Sequence, residues 1–137
     1  MKLHVEWVDN LQFVGAGERK MTVVMDSLPE HGGEGAGFRP TELLLLSLAG
    51  CTAIDIISIL EKQHHSVTSF SVEVEGIQQD QYPKRFTQIE LTYRITGDSI
   101  SESALKRAIE LSEEKYCSVR ATLLNAPKIE SRYEVVP

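Results

Sequence analysis

Between Leu43 and Leu60, apolar residues fill nearly every position of a helical wheel: Leu43 to Leu46, Leu48, Ala49, Ala53, Ile54, Ile56, Ile57, Ile59 and Leu60. Pro40 ahead of the run suits a first helical position, where its missing N–H would be unpaired anyway, and Glu42 puts a negative charge in the positive-ended first turn. The stretch Arg39 to His65 is therefore predicted as one long helix. A helix apolar on all sides either spans a membrane or lies in a core. Asp55 limits the uncharged run to Leu43–Ile54, short of the roughly 18 residues a span needs, so the pattern predicts a buried core helix. The polar exceptions Ser47, Cys51, Asp55, Ser58 and Lys62 recur every three or four residues and share one face. Gly50, costing about 1 kcal/mol against alanine inside a helix, predicts that another backbone or a small ligand packs closely beside Cys51. From spacing alone, an inert thiol between packed helices is as good a reading as a reactive one.

Period-two alternation predicts most of the remaining elements. Leu3, Val5 and Trp7 alternate with His4 and Glu6, LQFV after Asp9 and Asn10 reads as a hairpin return, and KMTVVMD as a third strand. SLPEHGGEGAGF reads as a flexible loop leading into the long helix; its glycines have neither dinucleotide-fingerprint spacing nor a closing Gly-Lys-Ser/Thr. TSFSVEVEGIQQ and QIELTYRIT alternate across the turn DQYPK and predict a second, longer hairpin, with Phe86 out of step as at a bulge. Ser101 is placed to N-cap SESALKRAIELSEEKY, whose Ala104, Leu105, Ala108, Ile109 and Ser112 share a face. Cys117 and Ser118 stand at a break before a short helix, VRATLLN, and IESRYEVV is predicted as a last strand through Ile129, Tyr133 and Val135. No repeat or linker divides the chain, which predicts a single α+β domain over residues 1–137.

Composition narrows the function. With 42% hydrophobic and 25% charged residues, the 137-residue chain is an ordinary globular sequence. A net charge of -6 offers no electrostatic footprint for nucleic acid or an anionic membrane surface. His4 and Glu6 interrupt any apolar leader, so a cytoplasmic location is the expectation. A reducing compartment argues against a permanent disulfide, and if the two cysteines pair, a transient and catalytic pairing is expected.

Among groups that could do chemistry, Cys117 just ahead of a short helix has the environment that favours a thiolate, whereas Cys51 depends on a nearby cation. Arg39, Arg19, Lys62 and Arg120 are the candidates for that cation. The four histidines read as surface, strand or loop residues. No two His or Cys residues share helical i, i+4 or zinc-ligand spacing, so neither a metal nor any other cofactor is expected.

The Gly-rich loop and helix GGEGAGFRPTELLLLSLAGC, with its cysteine in mid-helix, and the second cysteine in EKYCSV resemble the OsmC/Ohr family of thiol-dependent hydroperoxide reductases over essentially the whole chain. The resemblance implies an OsmC-like fold, two antiparallel sheet portions wrapped around a long central helix in an intertwined homodimer. It also implies active sites at the subunit interface, where Cys51 and Cys117 become neighbours once two subunits interlock. Cys51 matches the family's peroxide-attacking cysteine and Cys117 its resolving cysteine. Arg39 is the expected activating guanidinium and Glu42 the carboxylate that holds it. Organic hydroperoxides, with hydrogen peroxide as a further substrate, and an external dithiol reductant are the implied reactants. The chain departs from the pattern at Thr41, where the reductases place a Glu directly after the helix-opening Pro, and this puts it nearer the less characterised OsmC-like branch. Two other readings compete: a redox-sensing or small-ligand-binding module of the same fold, and a hot-dog thioesterase, which also wraps strands around one helix.

Overall fold

The computed structural model describes residues Met1–Pro137 as a mixed α+β chain with two antiparallel sheets, a long helix and two shorter ones. It separates into two compact units, Met1–Ser47 with Val74–Glu90, and Leu48–Glu73 with Leu91–Pro137.

In the first unit, β1 (Leu3–Asp9), β2 (Gln12–Gly17) and β3 (Thr22–Met25) form the predicted three-stranded meander in the order β1-β2-β3. The register pairs Trp7 with Phe13 and Val5 with Gly15. The tight turn between β1 and β2 puts Asn10 in the left-handed region at φ 46, which Asn tolerates better than most residues. Trp7 Nε1 donates to the Asn10 carbonyl at 2.9 Å and fastens the turn.

The loop that follows is not the flexible segment its glycines predict. Asp26, 3% exposed, accepts backbone N–H groups from Ser27, Glu34 and Ala36 at 2.7, 3.2 and 3.0 Å, and so ties both ends of the loop to one carboxylate. These bonds hold the Asp26 carboxyl below the usual range, with the Ala36 N–H the largest cause. Gly33 and Gly37 are needed for the close approach, since a Cβ at either would collide with the Ser27 or Val24 carbonyl.

The long helix α1 spans Pro40–Lys62, with Pro40 in its first position as predicted. The hairpin of β4 (Ser66–Gln78) and β5 (Phe86–Asp98) is also in place. Phe86 is out of phase, because Thr87 and Gln88 are both exposed before strict alternation begins at Ile89. A Cβ on Gly76 would lie 2.6 Å from its ring, so β4 carries a glycine where the Phe86 ring crosses it.

The core of the second unit is the fully buried trio Ile56, Leu60 and Ala108, flanked by Val67, Phe70, Tyr93, Ile95 and Leu105. It joins α1 to α2 (Glu102–Leu111), whose N-cap Ser101 accepts the Ala104 N–H at 3.1 Å as predicted. A π-helical turn over Ser112–Tyr116 follows, then α3 (Ser118–Leu124) with Cys117 as its N-cap.

Two features of α1 and one of the C-terminal stretch differ, within this single chain, from what the sequence predicts. First, α1 is buried on one side only: Leu48, Ala49, Thr52, Ile56 and Leu60 are covered, whereas Ile54 is 73% exposed. Its mean hydropathy of 2.3 would suit a membrane span by length and composition, but its covered face packs into a folded core. Second, nothing lies within 4 Å of where a Gly50 Cβ would be, so no group of this chain makes the predicted close contact. Third, the stretch Ile129–Val136 has no strand partner, and Ile129, Tyr133 and Val135 are 85–95% exposed. A strand exists only through its ladder bonds, and without a neighbouring edge the alternation alone cannot form one.

Candidate functional site

Every group of the candidate site belongs to the second unit. Cys51 and Asp55 lie one helical turn apart on α1, which places both on the same face. The π-helical turn brings the second cysteine to them: the Cys117 N–H bonds to the Ser112 carbonyl at 2.8 Å, one residue wider than an α-turn. The Cys51 and Cys117 sulfurs and an Asp55 carboxylate oxygen all lie within 4.8 Å of one another. The predicted meeting of the sulfurs thus occurs inside one chain. Residues 66 positions apart are brought together by α1 and α2 sharing a core, without a subunit interface between them.

Burial separates the two thiols. Cys51 is partly exposed, and Cys117 is 4% exposed. The expectation that the short helix makes Cys117 the readier thiolate is reversed, because burial pushes this thiol up. The Arg120 N–H, donating to its Sγ at 3.4 Å, opposes that rise, while neighbouring Cys51 and Asp55 add to it.

A chain of buried hydroxyls backs the site. Ser112 is fully buried, and its Oγ lies 2.8 Å from Asp55 Oδ2 and 2.9 Å from Thr52 Oγ1. A hydroxyl has one proton, and an ionised carboxylate can only accept. The Ser112 hydroxyl is placed as the donor to both Asp55 Oδ2 and Thr52 Oγ1, and its single proton serves one of them at a time. Tyr93 Oη, 3.3 Å from Thr52 Oγ1, extends this chain of hydroxyls. Burial raises the Tyr93 phenol, so it remains a donor at neutral pH. Its ring stacks on Phe70, with centroids 6.4 Å apart. Thr52, Asp55, Tyr93 and Ser112 were not foreseen as site residues. The available signal was the Cys51–Asp55 spacing along the polar stripe of α1.

Arg39 and Glu42 sit in the first unit, where they pair with each other. Arg39 Nη2 donates to Glu42 Oε1 at 2.9 Å, and Glu42 Oε2 accepts the Arg39 backbone N–H at 2.8 Å. The side-chain bond is the main reason that the Glu42 carboxyl is held low and the Arg39 guanidinium is pushed further up. Arg39 Nε is buried without an acceptor. Of the other cations considered, Arg19 is exposed. Arg120 lies in the second unit, its Nη1 4.0 Å from Glu113 Oε1.

The family described as OsmC-like protein matches residues 32–132. Protein YhfA of Escherichia coli (strain K12) is 37% identical over 136 residues, 99% of this chain and 98% of that one. A solved structure of a hypothetical protein from Aquifex aeolicus VF5 superposes with a TM-score of 0.79 at 30% identity, covering 91% of this chain and 87% of that one. That of an organic hydroperoxide resistance protein OsmC from Legionella pneumophila gives a TM-score of 0.67 at 17% identity, covering 91% and 90%, a likeness of fold.

Proposed function

The chain belongs to the OsmC-like protein family, and from that premise we propose that it is a thiol-dependent peroxidase acting on organic hydroperoxides. The observation that carries this reading is the pair of sulfurs within 4.8 Å, one partly exposed and one buried, in a single chain. A disulfide needs an S–S distance of about 2.05 Å. Side-chain rotation at the partly exposed Cys51 is the proposed way to close the remaining gap.

In this reading Cys51 is the nucleophile, since it is the thiol a substrate can reach. Its thiolate attacks the outer peroxide oxygen, the O–O bond breaks, and the alkoxide leaves as an alcohol after taking a proton. The sulfenic acid left on Cys51 condenses with the Cys117 thiol, forming the disulfide and releasing water. An external dithiol then reduces the disulfide and is itself oxidised. Arg39, clamped by Glu42 and with its Nε donor unspent, is the proposed activating cation.

The working form in this proposal is a cytoplasmic homodimer. Ile54, Leu44 and Leu46 on α1 are 73%, 39% and 46% exposed, and the space over Gly50 is open, as a second copy packed on this helix would require. A redox-sensing or ligand-binding module is the second reading, favoured by the apolar groove of the first unit that Val5, Leu11, Phe13 and Met25 line beside Arg39. The two separate on turnover of tert-butyl or fatty-acid hydroperoxide under excess dithiol. The peroxidase reading requires sustained consumption by the parent and none by Cys51→Ser, and equal rates in the two would refute it.

A further inference from the structure

We propose that Cys51, Asp55 and Cys117 form a binding site for Zn²⁺ or a similar thiophilic divalent cation in the reduced protein. The residue spacing that argues against metal considers His and Cys alone. The fold brings a carboxylate to the two sulfurs and so supplies a third ligand from an i, i+4 pair.

Four observations carry the site. The three ligand atoms lie within 4.8 Å of one another. Tetrahedral zinc, with bonds of about 2.3 Å to sulfur and 2.0–2.2 Å to oxygen, places its ligands roughly 3.4–3.8 Å apart, so each side chain has only a small distance to close. All three groups are acids, and no Lys, Arg or His forms an ion pair with Asp55; the nearby Arg120 turns to Glu113. Elsewhere the chain does satisfy its buried carboxylate, as the three N–H bonds to Asp26 show. At Asp55, by contrast, Ser112 occupies only Oδ2 and leaves the other oxygen available.

The surroundings have the form of a second shell. Metal-bound carboxylates are themselves hydrogen-bonded, and the buried Ser112–Thr52–Tyr93 relay holds Asp55 from behind. The Cys117 backbone is fixed by its bond to the Ser112 carbonyl. Two thiolates select zinc and related ions over magnesium or calcium, and three protein ligands leave a fourth position open. Thiolates rather than thiols ligate the ion, so binding releases protons. A Cys51–Cys117 disulfide removes two ligands, so the oxidised chain cannot hold the ion. The site uses the sulfurs of the proposed peroxidase but does not depend on turnover.

The test is a zinc titration of the reduced full-length protein against a chromogenic chelator, with proton release followed in weak buffer. One ion per chain is expected, with protons released as it binds. Cys51→Ser and Cys117→Ser should each weaken binding more than about 100-fold, Asp55→Asn about tenfold or more, and Ser112→Ala within the 10–100-fold range of outer partners. Co²⁺ added to the parent protein should give a near-ultraviolet thiolate-to-metal charge-transfer band, a readout that needs no variant to fold. Absence of that band, zinc binding no tighter than in the double serine variant, or unchanged affinity in Asp55→Asn overturns the site. A protein that binds zinc in this way but consumes no peroxide upholds the site and refutes the peroxidase.

Discussion

Replacing Ser112 with alanine removes one oxygen from a fully buried position and two hydrogen bonds with it, at 2.8 Å to Asp55 and 2.9 Å to Thr52. A hydrogen bond to a charged acceptor contributes about 1.5–3 kcal/mol and a neutral one about 1 kcal/mol. Asp55 is partly exposed, so water can take over some of its loss, but Thr52 at 2% exposure has no such recourse. The net destabilisation is therefore about 2–3 kcal/mol. For a chain of this length each kcal/mol lowers Tm by about 2–4 °C, which gives a drop of roughly 4–12 °C. The assay is urea unfolding of parent and Ser112→Ala at one fixed protein concentration, because any oligomer makes stability concentration-dependent. The midpoint should fall while the slope stays the same, since the surface exposed on unfolding hardly changes. A loss under about 0.5 kcal/mol would refute the reasoning, because the relay would then be an incidental contact.

Iodoacetamide at neutral pH should label Cys51 well before Cys117 in the reduced protein, as peptide mass spectrometry would show, because Cys117 is buried and its thiol is pushed up. Ser101→Ala should cost about 1 kcal/mol in thermal unfolding, the usual worth of an N-cap, by freeing the Ala104 N–H. Asp26 gives a pH dependence of definite sign. Its carboxyl is held low in the folded chain, so its contribution is present above the ordinary carboxylate value of about 3.9 and is lost as pH falls through the folded value. Between pH 6 and 3 the urea midpoint of the parent should fall more steeply than that of Asp26→Asn, and parallel curves would contradict the tie. Arg39→Lys should slow peroxide consumption at least tenfold if the guanidinium activates Cys51, because a lysine cannot reproduce its two-sided geometry. An unchanged rate would remove Arg39 from the chemistry.

Local signals in the sequence specify elements more completely than they specify partners. Pro40 and the apolar run mark the start and body of α1, which ends at Lys62 and not at the predicted His65, and Ser101 marks the start of α2, because a cap or a helix start is decided within a few residues. The hairpins follow from alternation and from Asn10 in its turn. Side-chain periodicity cannot say what covers a face, so α1 reads as buried all round although this chain covers only one side of it. For the same reason Val135 and its neighbours read as a strand that has no edge to join. The loop around Asp26 reads as flexible because its order comes from one carboxylate and three backbone N–H groups, a pattern that composition does not encode.

The site was legible to a similar degree. The importance of Cys51 and Cys117 comes from family resemblance, whereas their proximity within one chain depends on the packing of Leu60 and Ile56 against Ala108. Asp55 stood on the polar stripe of α1, but its partner Ser112 opens the π-helical turn after α2, in line with the apolar face of that helix in sequence, where a serine reads as a spacer. The π-helical turn, which turns the chain so that Cys117 meets Asp55, has no signature in SEEKY.

The most direct test is intact-mass and non-reducing gel analysis of the reduced protein after one equivalent of organic hydroperoxide. The account predicts a monomeric band about 2 Da lighter, with tryptic peptides joined through Cys51 and Cys117 of the same chain. A covalent dimer, or a chain that gains oxygen at Cys51 without ever forming the link, would contradict it.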